Sequence, residues 1–340
     1  MQIVQTAIDI FSRAHRSTFS SFCSSVCDTA VSRASVLVLV AASAAAPVSA
    51  AASTTPELIE YTDDQKQTVL ELLEQLEQRH YTKMEYDNEL SSAHLDNYID
   101  SLDGGRMFFT QAHVDSFERY RFALDEDLAK GKLDGGFAMF NVYHGQLVSR
   151  LEWVLETLPD LVASMDFSKD ESLEIDTDER PWAESDEVLD ERWRLQLKNQ
   201  ALNLKLAKKE SDEIVPTLEK RYRNQLNRVR QYNSQDAFQI FANALTELYD
   251  PHTNYFSPRR SENFNINMRL SLEGIGAVLS LEDEYTRVSR IVPAGPADKQ
   301  GELKPSDRIV AVGQDESGPF EDVIGWRLDE VVQLLRGPKG

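Results

Sequence analysis

The chain has 340 residues, of which 36 are Lys or Arg and 57 are Asp or Glu, giving a formal net charge of −21. So acidic a surface argues against nucleic acid and anionic lipid as partners, because both repel it, and fits plain solubility. The only two cysteines, Cys23 and Cys27, precede a segment read below as a removable leader, so the rest of the chain has no disulfide to form.

The first fifty residues read as a signal peptide. Arg33 is followed by an apolar run from Ala34 to Ala46, too short to span a bilayer as a helix, and the run leads into Ala46-Pro47-Val48-Ser49-Ala50. Small residues at Val48 and Ala50 place the expected cleavage after Ala50. No cysteine follows at a lipoprotein position, so the expected product is a periplasmic protein with no integral membrane segment. Removing residues 1–50 takes away three bases and two acids and leaves 33 against 55, a net charge of −22. About 290 remaining residues suggest two domains.

Residues 51–250 read as a helical domain. Leu70, Leu73 and Leu76, then Leu90, Leu95, Ile99 and Leu102, recur at helical spacing, and Gly104-Gly105 breaks the pattern. Thr110 and Asp115 open a helix carrying Phe117, Tyr120 and Leu124 that is expected to stop near Gly131. The next, from about Ala138, bears Phe140, Tyr143, Leu147, Leu151, Val154 and Leu158 and is expected to end at Pro159. Residues 168–191 are acidic and weakly patterned. Asp176-Thr177-Asp178-Glu179-Arg180-Pro181 begins like a calcium loop, but proline stands where the turn needs glycine, so no metal site is assigned. Helices from Ser185 and over about Val215–Tyr232 follow, then one capped by Ser234 with Phe238, Phe241, Leu245 and Leu248. Asp250-Pro251-His252-Thr253-Asn254-Tyr255-Phe256-Ser257-Pro258 ends it, and the expected domain boundary lies there. His252 reads as a turn-stabilising residue.

Beyond that point the period changes to that of strands. Leu272-Glu273-Gly274-Ile275-Gly276-Ala277-Val278-Leu279 is a glycine loop running into an apolar strand. Arg287–Val292 and Asp307–Val312 are strand-like, separated by the turn Pro293-Ala294-Gly295-Pro296-Ala297 and a short helix. Leu328–Leu335 is an amphipathic helix stopped by Gly337-Pro338. Two glycines one residue apart let backbone amides converge where side chains would obstruct them, and the strand that follows can offer an open edge. Such a loop can hold the terminal carboxylate of another chain while the strand pairs with its backbone.

In this order the elements resemble a PDZ domain of the bacterial, protease-associated kind. Gly274-Ile275-Gly276-Ala277 matches its carboxylate-binding loop. Gly295-Pro296-Ala297 and Leu303-Lys304-Pro305-Ser306-Asp307-Arg308-Ile309 match its next conserved stretch, with Ser306 in place of the usual glycine. The resemblance implies that the amides of Ile275, Gly276 and Ala277 hold a carboxylate. It further implies a groove between the strand and the Leu328–Leu335 helix, with Leu279, Val331 and Leu335 contributing.

With Asp250–Pro258, Val323–Val332 and Arg336–Gly340 added, the chain from Thr55 onward resembles the tail-specific proteases, the long C-terminal processing peptidases of Gram-negative bacteria. That resemblance implies a mainly α N-terminal domain, then an α+β PDZ domain over 251–340 whose last strands would follow Gly340. It implies a serine endopeptidase with a Ser-Lys dyad, acting on apolar C-terminal tails of envelope proteins, with no cofactor. Related enzymes work with a helical-repeat lipoprotein adaptor. The family's dyad lies in a protease domain after the PDZ domain, so this chain is expected to bind tails without cutting them. No Gly-x-Ser-x-Gly, His-Glu-x-x-His or phosphate loop supplies a substitute. Ser168-Lys169 sits in the acidic stretch, without the buried surroundings that activate a lysine base. The rival reading is a non-catalytic tail-binding adaptor or chaperone.

Overall fold

The computed structural model describes residues 57–174, 177, 180–269, 274–313 and 319–336. The signal-peptide reading, Leu272, Glu273 and most of the calcium-like stretch lie outside them. The chain divides after Leu272 into two compact units.

The first unit is helical. Its elements are α1 (Asp63–Glu74, prolonged by a π-turn at Gln75–Arg79), α2 (Asn88–Asp103), α3 (Gln111–Phe117), α4 (Leu124–Leu128) and α5 (Asp134–Ser164). Then come α6 (Asp186–Leu206), α7 (Ser211–Val229), α8 (Ser234–Tyr249) and α9 (Pro258–Arg269). Helix α5 is the spine. At 31 residues it is about 46 Å long. Its N-terminal half packs with α1, α2 and α8 around Tyr98, Phe109, Phe140, Phe238 and Phe241. Its C-terminal half packs with α6 and α7 around Leu151, Leu158, Trp193, Leu197 and Leu218.

Two sequence expectations fail along α5. The helix begins before Ala138, through Gly135 and Gly136, and runs through Pro159 to Ser164. Gly136 is required by packing, since a Cβ there would stand 2.8 Å from the Phe241 ring. The bare backbone lets α8 close against α5, and the Gly136 carbonyl accepts a 3.0 Å bond from the Tyr98 hydroxyl. At Pro159 the cost of a missing N–H, about 3 kcal/mol, is offset by burial of Leu158 on one side and of Leu161 and Val162 on the other.

Residues 111–128 also differ. Three short helical pieces replace one helix, because the Arg121 carbonyl accepts from Ser91 Oγ at 2.8 Å and Ala123 N–H bonds back to Tyr120 in a 3₁₀ turn. Asn233, not Ser234, caps α8, its side chain accepting from the amides of Gln235 and Asp236.

Past residue 250 the segment expected to be a boundary stays attached to the helical unit. Asp250 accepts from the Tyr81 hydroxyl at 2.5 Å and from the His252 amide at 2.6 Å. These bonds hold its carboxyl down to about 2, the tyrosine contributing most. His252 therefore closes a turn. His80 pairs with the Thr253 hydroxyl at 3.0 Å, Tyr255 N–H donates to Asn243 Oδ1 at 2.7 Å, and the Tyr255 ring meets Phe238 edge-on. The unit ends only after α9.

Buried polar groups pin the interior. Asp103, 2 % exposed, accepts from the amides of Met107, Phe108 and Phe109, each at 2.8 Å. Burial raises its pKa, and the three amides and Arg106 oppose that shift. His94 is fully buried. Its Nε2 donates to the Phe241 carbonyl at 3.0 Å, leaving Nδ1 to accept from the Tyr86 hydroxyl at 2.8 Å, so the ring is neutral. His144 makes a similar bond to the Val229 carbonyl at 2.9 Å.

Burial takes the His94 pKa from 6.5 down to about 4. The folded value lies below the unfolded one, so its stabilisation is complete above pH 6.5 and is lost as pH falls through 4. The difference amounts to about 3 kcal/mol. Thermal unfolding of wild type and His94→Gln from pH 7.5 to 4 should show a lower Tm for the variant at pH 7.5 and a shallower acid decline.

Candidate functional site

The second unit is built from β1 (Ala277–Glu282), β2 (Tyr285–Ile291), α10 (Pro296–Gln300), β3 (Arg308–Ile309), β4 (Ala311–Gly313), β5 (Phe320–Asp322) and α11 (Leu328–Arg336). β1, β2 and β3 form an antiparallel sheet in that order, while β4 and β5 pair separately. Ala277 faces Ile291 and Glu282 faces Tyr285, with an irregularity between Val278 and Leu279. β1 is an edge strand among the described residues, and α11 packs beside it and against β4.

The loop ahead of β1 is shaped by one close approach. Gly276 has φ +76°, and a Cβ there would lie 3.1 Å from Gly295 Cα and 3.1 Å from Pro296 Cδ. Glycine is needed on both counts: for the left-handed backbone and for the space. The approach lets two carbonyls turn inward, Ile275 C=O accepting from Ala297 N–H and Gly276 C=O from Val292 N–H, both at 2.8 Å. In a trans peptide the C=O and the next N–H point in opposite directions. The amides of Gly276 and Ala277 are therefore turned away from α10 and β2. Among the described residues the amides of Ile275 and Gly276 have no acceptor. An anion placed there would find donors already oriented.

Ile275, Ala277 and Leu279 are half-buried over Val288, Ala297 and Leu303. Gly274 is also half-buried, and its vacant Cβ position lies 3.9 Å from Arg336 Cγ, so the last turn of α11 reaches the loop. Leu335 is half-buried. Val331 is different: it is 0 % exposed and packed with Val312 and Val323. It supports the helix from the core and presents nothing to a ligand. The half-buried apolar residues of α11 are Leu328, Val332, Leu334 and Leu335, of which Leu334 and Leu335 pack against the cluster that holds Val331.

Ser306 takes φ +80°, the left-handed conformation for which glycine is suited. Its amide donates to the Val288 carbonyl at 2.8 Å, and its hydroxyl accepts from Arg287 Nη2 at 2.8 Å. In the helical unit, Ser168 donates to Asp166 Oδ1 at 2.7 Å, and Ser168 and Lys169 are both exposed. Nothing there desolvates the lysine. Among the described residues no group of acidic, histidine or cysteine side chains could hold a metal ion, and no helix is long and apolar enough to cross a membrane.

Residues 72–259 match the tail specific protease N-terminal domain, more than half of the chain. The chain belongs to the tail-specific protease family. Residues 263–340 match the PDZ domain, so the glycine loop, edge strand and α11 belong to a PDZ fold. The tail-specific protease of Haemophilus influenzae is 36% identical over 266 residues, 78% of this chain and 38% of the relative. The carboxy-terminal processing protease CtpB of Bacillus subtilis is 32% identical over 96 residues, 28% of this chain and 18% of that protein. This chain thus spans well under half the length of either. A crystal structure of the PDZ domain of a carboxy-terminal protease from Vibrio cholerae in complex with peptide is 55% identical, covering 20% of this chain and 69% of that one, with a TM-score of 0.20.

Two substitutions test the backbone account. Ser306→Gly removes a left-handed cost of about 1–2 kcal/mol and one exposed hydrogen bond worth about 0.5–1 kcal/mol, so the C-terminal unit should gain about 0.5–1 kcal/mol. Gly276→Ala should cost it more than about 1 kcal/mol, through φ and the 3.1 Å approach together. Denaturant unfolding followed on that unit measures both.

Proposed function

We propose that this chain is the tail-recognising portion of a periplasmic serine endopeptidase, and that the groove between β1 and α11 captures apolar C-terminal tails of envelope proteins. The observation that carries the reading is the outward turn of the Gly276 and Ala277 amides, beside a strand edge that is unpaired among the described residues and the apolar side of α11. The captured carboxylate takes the amides of Ile275, Gly276 and Ala277. The tail's backbone extends β1 as a further strand. Its terminal aliphatic side chain sits between Ala277 and Leu279 on one side and Val332 and Leu335 on the other.

Magnitudes set what such a groove does. A charge-assisted carboxylate contact contributes about 1.5–3 kcal/mol, and burial of one aliphatic side chain contributes about 1.5–3 kcal/mol. Strand pairing adds to this, and ordering the peptide subtracts. The sum corresponds to roughly micromolar capture with fast release, which suits delivery of a tail to a cutting site. The helical unit serves as scaffold and as docking surface for an adaptor such as a helical-repeat lipoprotein. In this reading residues 51–340 supply recognition, and the chain as given binds tails and leaves them intact.

Titration with a labelled peptide ending in an apolar residue should give a micromolar Kd, and amidating the peptide's C-terminus should weaken it at least about tenfold, the equivalent of 1.4 kcal/mol. Prolonged incubation with an unfolded protein bearing the same tail should leave that protein intact. Equal affinity for the amide would remove the carboxylate loop from the account, and cleavage that survives repurification would remove the division between binding and cutting.

A further inference from the structure

Strand β2 carries one residue more than β1 can match. Val278 pairs with Arg290 and Leu279 with Val288, so Ser289 has no counterpart and the register shifts there. In regular alternation an inward Val288 would put Arg290 inward and Ile291 outward. The extra residue reverses both. Val288 is 0 % exposed, and Ile291 packs against its cluster with Ala277 and Leu279, while Ser289 and Arg290 are both exposed. Ser289 Oγ and Ser280 Oγ lie 2.6 Å apart, which places Ser280 on the same outer face, and Val278, two residues before it, likewise. The bulge therefore turns two consecutive side chains outward, opposite the first residues of β1 and beside the carboxylate loop. Re-aiming a side chain next to a site is a common use of such an insertion.

We infer that Arg290 selects an acidic side chain at the penultimate position of a captured tail. The inference rests on the tail-capture reading above and adds to it which tails are preferred. With the carboxylate at the amides of Ile275, Gly276 and Ala277, the terminal side chain faces inward with Ala277 and Leu279. Strand alternation then turns the penultimate side chain outward and sets it against Val278. Arg290 is the partner of Val278 on the far side, two strand spacings, about 9.6 Å, from the tail backbone. Only a short valine side chain stands between them. An arginine laid over that valine keeps its head in water, where it meets a glutamate or aspartate reaching from the tail.

The neighbouring positions offer no equivalent. The next outward side chain, fourth from the end, meets Ser280, whose hydroxyl is bonded to Ser289. Beyond it, Arg287 donates to Glu282 Oε1 at 2.9 Å and to Ser306 Oγ at 2.8 Å, and Arg308 donates to Glu282 Oε2 at 3.1 Å. Those two cations are already engaged. The third side chain from the end turns inward, to the apolar side of α11, where a carboxylate would lose its hydration. Charge selection is thus concentrated at one position of the tail.

The test uses the whole chain and two fluorescent peptides with a free C-terminal carboxylate and an apolar last residue, identical except for glutamate or glutamine at the penultimate position. Titration in 0.15 M salt screens charges beyond about 8 Å. Wild type should bind the glutamate peptide about two- to fivefold more tightly, the size of a solvent-exposed ion pair. That ratio should fall to about one in Arg290→Gln and be kept in Arg290→Lys. Each ratio is read within one variant, so a general change in stability cancels. Moving the glutamate one residue upstream should abolish the gain. Equal binding of the two peptides by wild type, an undiminished ratio in Arg290→Gln or a lost one in Arg290→Lys would overturn the inference and leave tail capture standing. Failure of both peptides to saturate would remove tail capture and this inference with it.

Discussion

The C-terminal unit depends on one backbone contact, Gly276 against Gly295 and Pro296. At a 3.1 Å approach a Cβ would have to push its neighbours aside, and two hydrogen bonds then lock the loop, from Ala297 to Ile275 and from Val292 to Gly276. Each bond draws a carbonyl inward and so turns the next amide outward. The loop's binding capacity is thus a by-product of how it is fastened. The donors are oriented before any ligand arrives, so little ordering cost remains at the loop. Under the proposed function, selectivity for a chain terminus would follow, because a terminal carboxylate brings negative charge to backbone donors at the end of an extending strand.

The helical unit solves a different problem. A 31-residue helix is shared by two hydrophobic clusters, and buried polar groups fix where each neighbour meets it. His94 joins α2 to α8, His144 joins α5 to the end of α7, and Asp103 gathers three amides of the turn after α2. Each is nearly or fully buried and hydrogen-bonded, so each favours one arrangement of helices over near alternatives. Packing of this kind gives a stiff unit that can present clefts and surfaces at fixed positions.

Much of this was legible in sequence because it is written in local pattern. The glycine loop, the Gly-Pro-Ala turn and the α11 amphipathicity all lie within a few residues of the structure they produce. The domain order followed from the change in hydrophobic period. What was misread depends on partners distant in the chain. The helix expected from about Ala138 begins earlier, and Pro159 looked like a stop, because the Phe241 ring against Gly136 and the Leu158 contacts are invisible locally. Val331 was expected at the groove because a helix pattern identifies an apolar side before it distinguishes its buried from its half-buried positions.

The claim that most of the functional account rests on is that the Gly276 and Ala277 amides receive the carboxylate. Amide NMR reads those two protons directly. Adding an apolar tail peptide to ¹⁵N-labelled protein should move the Gly276 and Ala277 amide protons downfield and slow their exchange with solvent, more than any other amides of the unit. If the peptide saturates the protein while those two resonances stay in place, the carboxylate is held elsewhere and the account is wrong.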